Sequence, residues 1–397
     1  MNYTSWFNFR TDFIAAVTFS LFNVVFNQFY VPMAIQQGAS NIQVGLLAAA
    51  PAIGLLFSPL WAGWIERTTP KPFVIVPNLI GRLLLVLPAF FGAPWVYVAT
   101  ALLFHLLMGI QAPAYAALIT RIYPADLRGR LMSYVRIAMS ALMIPLSFLV
   151  GIWTDFGGPS GPLLAAGLTG MLSILIFTRL KEDERPAAQP AVTKRSSLKE
   201  QWQVIRQHPG LAVFFTATTF AGFANILANP LYQIIQVERL GLSNVEIGWA
   251  RMAYFSSLLV SYFVVGWVID RFSPKHTLVY GLAAYTLIPL LYGVFFNYPA
   301  VIIGSAVQGV GDAIWDIGIL AFVFRIAPGR EAVVFGLHLM LFGIRGTIGP
   351  LISTGLSETV PLEALLFGAC LCALIGTALF MAGSKDRTDT RQMNAGV

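Results

Sequence analysis

Apolar runs of 20 residues and more, without period-two alternation, recur along the whole chain and restrict its fold more than any other feature. A backbone in hydrocarbon has no water to bond, so a segment crossing a bilayer must be a helix or part of a closed barrel. Barrel strands are shorter and alternate in polarity, whereas about 20 residues of helix match a ~30 Å hydrocarbon core. Twelve runs can be bracketed, at 12–35, 41–65, 73–92, 95–119, 131–154, 161–180, 210–236, 243–268, 277–296, 299–324, 333–357 and 361–383. The first is too long for a signal-peptide core, carries Asn23 and Asn27, and lacks a small-residue cleavage site, so it reads as a span. Composition agrees: 57% of residues are hydrophobic and 11% charged, against about 25% charged in soluble domains. An all-α membrane protein is expected.

The net charge of +7 is a signal of topology. Arg10, Arg67, Lys71, Arg121, Arg128, Arg130, the cluster Arg179 to Arg206, Arg271, Lys275, Arg325, Arg330, Lys385, Arg387 and Arg391 all fall at the termini or in even-numbered connections. In the odd-numbered connections only Arg239 is basic. Basic residues stay on the cytoplasmic side, so a multi-pass protein of the cell membrane with both termini in the cytoplasm is expected. This distribution speaks against nucleic acid as a partner.

The chain also repeats itself. "NVVFNQFY" (Asn23–Tyr30) returns as "NILANPLY" (Asn225–Tyr232), "GASNIQVG" (Gly38–Gly45) as "GLSNVEIG" (Gly241–Gly248), "AGWIERTTPK" (Ala62–Lys71) as "GWVIDRFSPK" (Gly266–Lys275), and "RIYP" (Arg121–Pro124) as "RIAP" (Arg325–Pro328). The order is kept and the offset changes only by single residues. The repeat implies two six-helix bundles related by a pseudo-twofold axis along the membrane normal, an arrangement of secondary transporters. The expected divisions are 1–180, a cytoplasmic linker at 181–209, and 210–397. In the linker, "SSLKEQWQVIRQ" has Leu198, Trp202 and Ile205 on one side and reads as an interfacial amphipathic helix.

These features resemble the major facilitator superfamily over essentially the whole chain. Gly266, Asp270, Arg271 and Lys275 look like the family's G-x-x-x-D-R-x-G-R-[RK] loop, with Ser273 and Pro274 in place of its later Gly and Arg. The first half carries a more degenerate copy, with Ala62, Glu66, Arg67 and Lys71 at the matching positions. "DLRGR" (Asp126–Arg130) is similar to the element after the family's fourth helix. The resemblance implies a cytoplasmic gate made of Glu66, Arg67, Lys71, Arg128, Arg130, Gly266, Asp270, Arg271 and Lys275, latched when the outer side is open. The Gly- and Pro-rich fifth-helix motif of drug/proton antiporters is missing from "SALMIPLSFLVG", but its counterpart "GIRGTIGP" carries Gly343, Gly346, Gly349 and Pro350.

Polar groups at membrane depth carry the functional reading. Residues at i, i+4 and i+7 share a helical face, so Asn23, Asn27 and Tyr30 form one stripe and Asn225, Asn229 and Tyr232 another. The family fold sets the first and seventh helices beside a central cavity, which makes the stripes a substrate pathway; the alternative is helix-to-helix bonding. His105 and Gln111 on the fourth helix are further pathway candidates. Asp312 and Asp316 lie i, i+4 in the tenth run, and a carboxylate at that depth needs a proton or a partner. At ~1.5 Å per residue, Asp312 and Arg345 fall at ~16 and ~18 Å, and Asp316 and His338 at ~10 and ~8 Å. Two pairs, Asp312–Arg345 and Asp316–His338, are therefore expected, as an ion- or proton-coupling network or as a structural one. Arg82 and Arg251 have no evident partner.

The expected function is secondary active transport by alternating access. Proton-coupled efflux of an amphipathic or cationic organic compound stands first, and proton-coupled uptake of a small polar solute or organic anion is the alternative. No nucleotide-binding loop is evident, and four histidines and two cysteines form no catalytic or metal cluster, so neither an enzyme nor a cofactor nor a metal is expected. The expected partners are the lipid bilayer, a small-molecule substrate and protons or another coupling ion, for a monomer.

Overall fold

A computed structural model describes residues 3–65, 68–124, 127–182, 209–271, 274–326 and 331–383, without the side chains of 59, 62–64, 209, 269–270, 274, 320–321, 324–326, 331–333 and 335–336. Among the described residues eleven helices are long and apolar enough to cross a membrane. They are α1 (Tyr3–Gln36), α3 (Pro70–Ala89), α4 (Pro94–Ile122), α5 (Arg128–Gly157), α6 (Ser160–Phe177), α7 (Gly210–Arg239), α8 (Asn244–Arg271), α9 (Pro274–Val294), α10 (Tyr298–Ile326), α11 (Glu331–Leu356) and α12 (Leu362–Gly383). The twelfth crossing, α2, runs Asn41–Leu56 and resumes at Ser58–Ile65. Its break has a local cause. Pro59 has no N–H to return to the preceding turn, and Phe57 N and Leu60 N bond instead at i−3, to Gly54 O and Phe57 O. The interfacial helix expected around Trp202 lies outside the described residues.

Contacts repeat between the halves with the pseudo-symmetry that the sequence repeat requires. In the first half α1 lies against α5 and α6, and α4 against α2 and α3; in the second α7 lies against α11 and α12, and α10 against α8 and α9. The halves meet through α2 with α11 and α5 with α8.

The end that carries Tyr3 and Gly383 is here called proximal and the opposite end distal. One apolar core is continuous across both halves toward the distal end, from Phe29, Met33 and Val44 to Leu231, Ile235 and Ile247. Toward the proximal end it divides into two separate clusters, one around Leu118, Ile122 and Phe177 and the other around Phe214, Leu278 and Phe322. The molecule is therefore sealed distally and split proximally.

The repeated octets explain the seal residue by residue. Gly38 (φ +89°) and Gly241 (φ +60°) take the left-handed conformation that ends α1 and α7, where a Cβ would be strained. Ser40 and Ser243 then start the next helix with a capping box. Ser40 N donates to Gln43 Oε1 (2.8 Å) and Gln43 N to Ser40 Oγ (3.4 Å), while Ser243 N donates to Glu246 Oε2 (2.9 Å) and Glu246 N to Ser243 Oγ (3.2 Å). The following asparagines cross to the other half. Asn41 Nδ2 donates to Ser357 Oγ (2.9 Å). Asn244 N and Nδ2, each at 2.8 Å, and Val245 N, at 2.9 Å, donate to the Asp155 carboxylate, and Gln36 Nε2 donates to Asn244 Oδ1 at 3.1 Å. The closing glycines let backbones meet: a Cβ on Gly45 would stand 2.1 Å from Thr354 Oγ1, and one on Gly248 would stand 2.7 Å from Ser147 O.

Asp155 thus caps the first turn of α8 from the opposite half, a site that favours negative charge. Losing an exposed cap costs about 1–2 kcal/mol, roughly tenfold in an equilibrium. Asp155→Ala is expected to slow disulfide formation between cysteines at positions 41 and 357 about tenfold, measured by oxidative cross-linking. An unchanged rate would mean that Asp155 does not hold the seal.

Candidate functional site

Among the described residues three compartments are bordered by both halves, and Asn229 of α7 is in the wall of each. The first, about 140 Å³, is bordered by Asn27 and Gln28 of α1 and by Gln233, Gln236, Arg251, Tyr292, Gln308 and Asp312 of the second half. The second, about 170 Å³, lies among Phe26, Asn27, Tyr30, Pro51 and His105. The third, about 210 Å³, lies among Ala48, Ala52, Asn225, Phe342 and Gly346.

The stripes reach this space in part. Asn27 and Asn229 are exposed, and Asn27 Nδ2 donates to Asn23 Oδ1 at 3.0 Å. Asn225 borders the third compartment, with no partner for its Oδ1 among the described residues. Tyr30 is 2% exposed; its hydroxyl lies 2.6 Å from Thr100 Oγ1 and donates to Tyr97 O at 3.2 Å, on α4. Residues Val25–Phe29 form a π turn, which adds one residue and rotates the rest of α1 by about 100°. The rotation takes the Tyr30 hydroxyl off the asparagine face. Tyr232, 6% exposed, borders the first compartment and lies tilted against Tyr292 with centroids 4.4 Å apart.

The α7 stripe continues as Gln233 and Gln236, at i+4 and i+7 from Asn229. They were not among the sequence candidates, although the same spacing in "NPLYQIIQ" marks them. Both carbonyls accept from Arg251 Nη2, at 3.0 and 3.3 Å, and Gln236 Nε2 donates to Tyr292 Oη at 2.8 Å. His105 is in the wall, its ring against Phe26 and Phe104 at 5.5 and 5.2 Å. Gln111 is half-buried and is not among the residues bordering the three compartments.

The carboxylates are held differently from expectation. Asp312 accepts from Tyr285 Oη (2.8 Å), Tyr254 Oη (3.0 Å) and Gln308 Nε2 (2.8 Å). Asp316 is exposed and accepts from Tyr262 Oη at 2.7 Å. Arg345 Nη1 donates to Thr218 O at 2.8 Å, and His338 lies against Phe214 and Trp315 at 6.1 and 5.8 Å. The pairs Asp312–Arg345 and Asp316–His338 are replaced by these contacts. Depth along a helix does not fix rotation about its axis: α10 leans on α8 and α9, and the edge it turns to α11 is Trp315.

Arg82, which had no partner in the sequence reading, is enclosed in the first half. It donates to Gly170 O and, at 3.0 Å, to Asn78 Oδ1, with Phe19 and Phe22 at 4.4 and 5.4 Å. At the proposed gate, Lys71 Nζ donates to Leu180 O (2.7 Å), Arg128 Nη2 to Thr120 O and Tyr123 O (both 3.4 Å), and Arg271 lies over Trp267 (4.4 Å). All three contacts stay within one half. Arg130 is exposed, Gly266 has open space around it and Lys275 is half-buried. Glu66, Arg67 and the Asp270 side chain lie outside the described residues.

A family model described as the Major Facilitator Superfamily matches residues 13–227 and again 214–395. The chain is 27% identical over 172 residues to the "Tetracenomycin C resistance and export protein" of Streptomyces glaucescens, covering 43% of this chain and 30% of that protein. It is 27% identical over 112 residues to the "Multidrug efflux pump SdrM" of Staphylococcus aureus, covering 27% of this chain and 24% of that one. The matches thus span under a third of the length of these curated relatives. Among solved structures, a mutant of the nucleoside transporter NupG superposes with a TM-score of 0.77 at 14% identity, over 96% of this chain and 100% of that one. A bacterial homolog of the lysosomal transporter Spinster gives 0.72 at 13% identity, over 97% and 98%. At such identities the likeness is one of fold.

The site makes a prediction about access. In a chain with Cys370 and Cys372 replaced by alanine, cysteines at positions 27 and 229 should react with a water-soluble maleimide at least tenfold faster than cysteines at 30 and 345. Mass spectrometry of labelled protein reads the difference, and equal rates would contradict the geometry.

Proposed function

The chain belongs to the major facilitator superfamily, and on that premise we propose that it is a secondary carrier for a small polar organic solute, driven by protons. It is a multi-pass membrane transporter, and its moving bodies on this reading are residues 1–180 and 210–397. The carrying observation is the compartment between the halves, where six amide, carboxylate and guanidinium side chains of the second half face Asn27 and Gln28 of the first. Such groups are costly in lipid and serve a solute or water. With the basic ends in the cytoplasm of the cell, the sealed distal end faces outward and the divided proximal end opens inward, so the arrangement is inward-facing.

Asp312 is the coupling candidate best supported by its surroundings. It borders the solute compartment, and two phenols and an amide already bond its oxygens. Protonation would release at least one of these donors, which ties the proton to the packing of α8, α9 and α10. On this reading Asp316, exposed and bonded to Tyr262, passes protons between Asp312 and water. Efflux of an amphipathic or cationic compound is a second reading, favoured by the export and efflux activities named for two relatives and by the mostly apolar third compartment.

In proteoliposomes with a pH gradient, Asp312→Asn should lower gradient-driven flux by tenfold or more while leaving exchange of solute across equal pH within about threefold. Gradient-driven flux unchanged in both Asp312→Asn and Asp316→Asn would remove the coupling role.

A further inference from the structure

Arg82, Arg251 and Arg345 lie within spanning helices and are held in different ways. Arg82 and Arg345 are 7% and 4% exposed. Each donates a hydrogen bond to a backbone carbonyl and lies near aromatic rings. Neither borders the solute compartments. Arg251 does border one. Its Nη2 is held by the carbonyls of Gln233 and Gln236, and its buried Nε–H, like those of Arg82 and Arg345, has no acceptor among the described residues, so what sets Arg251 apart is the compartment it borders. Nη1 makes no hydrogen bond among them either.

The charge of Arg251 is also unmatched at contact distance. Asp312 is the one carboxylate among the residues bordering the same compartment, and its oxygens are turned to Tyr254, Tyr285 and Gln308. Tyr254, three residues after Arg251 on α8, gives its hydroxyl to Asp312. The other polar residues bordering the compartment are amides, phenols and Ser305. A guanidinium in a low-dielectric site, pre-positioned by two amides and with unused N–H groups, binds an anionic oxygen strongly.

We infer that the first compartment binds an organic carboxylate, with Arg251 as the anchor and Gln233 and Gln236 as its positioning residues. This deepens the carrier reading and rests on it. The carboxylate supplies the acceptor that Nε lacks. The remainder of the solute lies toward Asn27, Gln28 and Asn229, so the first half closes on it from the opposite side.

The test is binding to the purified full chain of acetate and benzoate, each against its uncharged amide, and of inorganic phosphate, by calorimetry in the millimolar range. The carboxylates should bind at least tenfold more tightly than acetamide and benzamide. Arg251→Gln should remove that preference. Gln236→Glu is the second variant: it sets a carboxylate beside Nη2, so it should raise thermal stability and exclude the ligand by tenfold or more. Carboxylates binding no better than amides, or binding unchanged in either variant, would overturn the inference. Phosphate binding as tightly as benzoate would replace the carboxylate assignment with a general oxyanion site. The Asp312→Asn flux result stands apart: flux intact with no carboxylate preference rejects this inference alone, and carboxylate binding without flux rejects the carrier reading.

Discussion

In hydrocarbon a polar group must find a partner inside the protein or a wall that faces water. That requirement sorts the intramembrane polar residues into two sets. Arg82, Arg345 and Tyr30 are turned into their own halves, against carbonyls, hydroxyls and rings. Asn27, Asn229, Gln233, Gln236, Arg251 and Asp312 collect around the compartments between the halves. The first set makes each half a closed body. The second makes the space between them wet.

The same division explains how two copies of one bundle hold a sealed end without merging. The octet Gly38–Gly45 and its counterpart Gly241–Gly248 end one helix, cap the next, present an asparagine to the opposite half and leave a glycine for close backbone approach. Every part of that contact is small or polar, and it lies beside the apolar core that runs across both halves at the distal end. The Gly45 contact with α11 and the Gly248 contact with α5 are symmetry-related in position. Asp155 has no equivalent at the Asn41 contact, where Ser357 accepts instead.

Much of this was legible in the sequence because it is written in periodicity and repetition. Run length gave the twelve crossings, and the octets gave the duplicated halves. Asn27 and Asn229 were legible as wall residues because a polar side chain on an apolar face has few other uses. Azimuth was harder to read. The π turn at Val25–Phe29 rotates Tyr30 away from the asparagines, and no spacing rule reveals an added residue of that kind. The partners of Asp312 were misjudged because depth constrains only one coordinate of a helix; the other is set by which neighbours α10 rests on, and those are α8 and α9. Gln233 and Gln236 could have been found by extending the i, i+4, i+7 rule past Tyr232. Arg251 could not, because a lone arginine reveals nothing until its neighbours are known.

Two rigid halves that rock about a shared polar space must close one end as the other opens. Pulsed electron paramagnetic resonance reads that motion as distances, with spin-label pairs at Gln37 and Glu358 on the distal end and at Thr68 and His276 on the proximal end, in lipid, across pH and with transported solute. Rocking predicts two populations in which the distances change reciprocally, the distal pair lengthening as the proximal pair shortens. Two distances that stay fixed under all conditions, or that lengthen together, would rule it out.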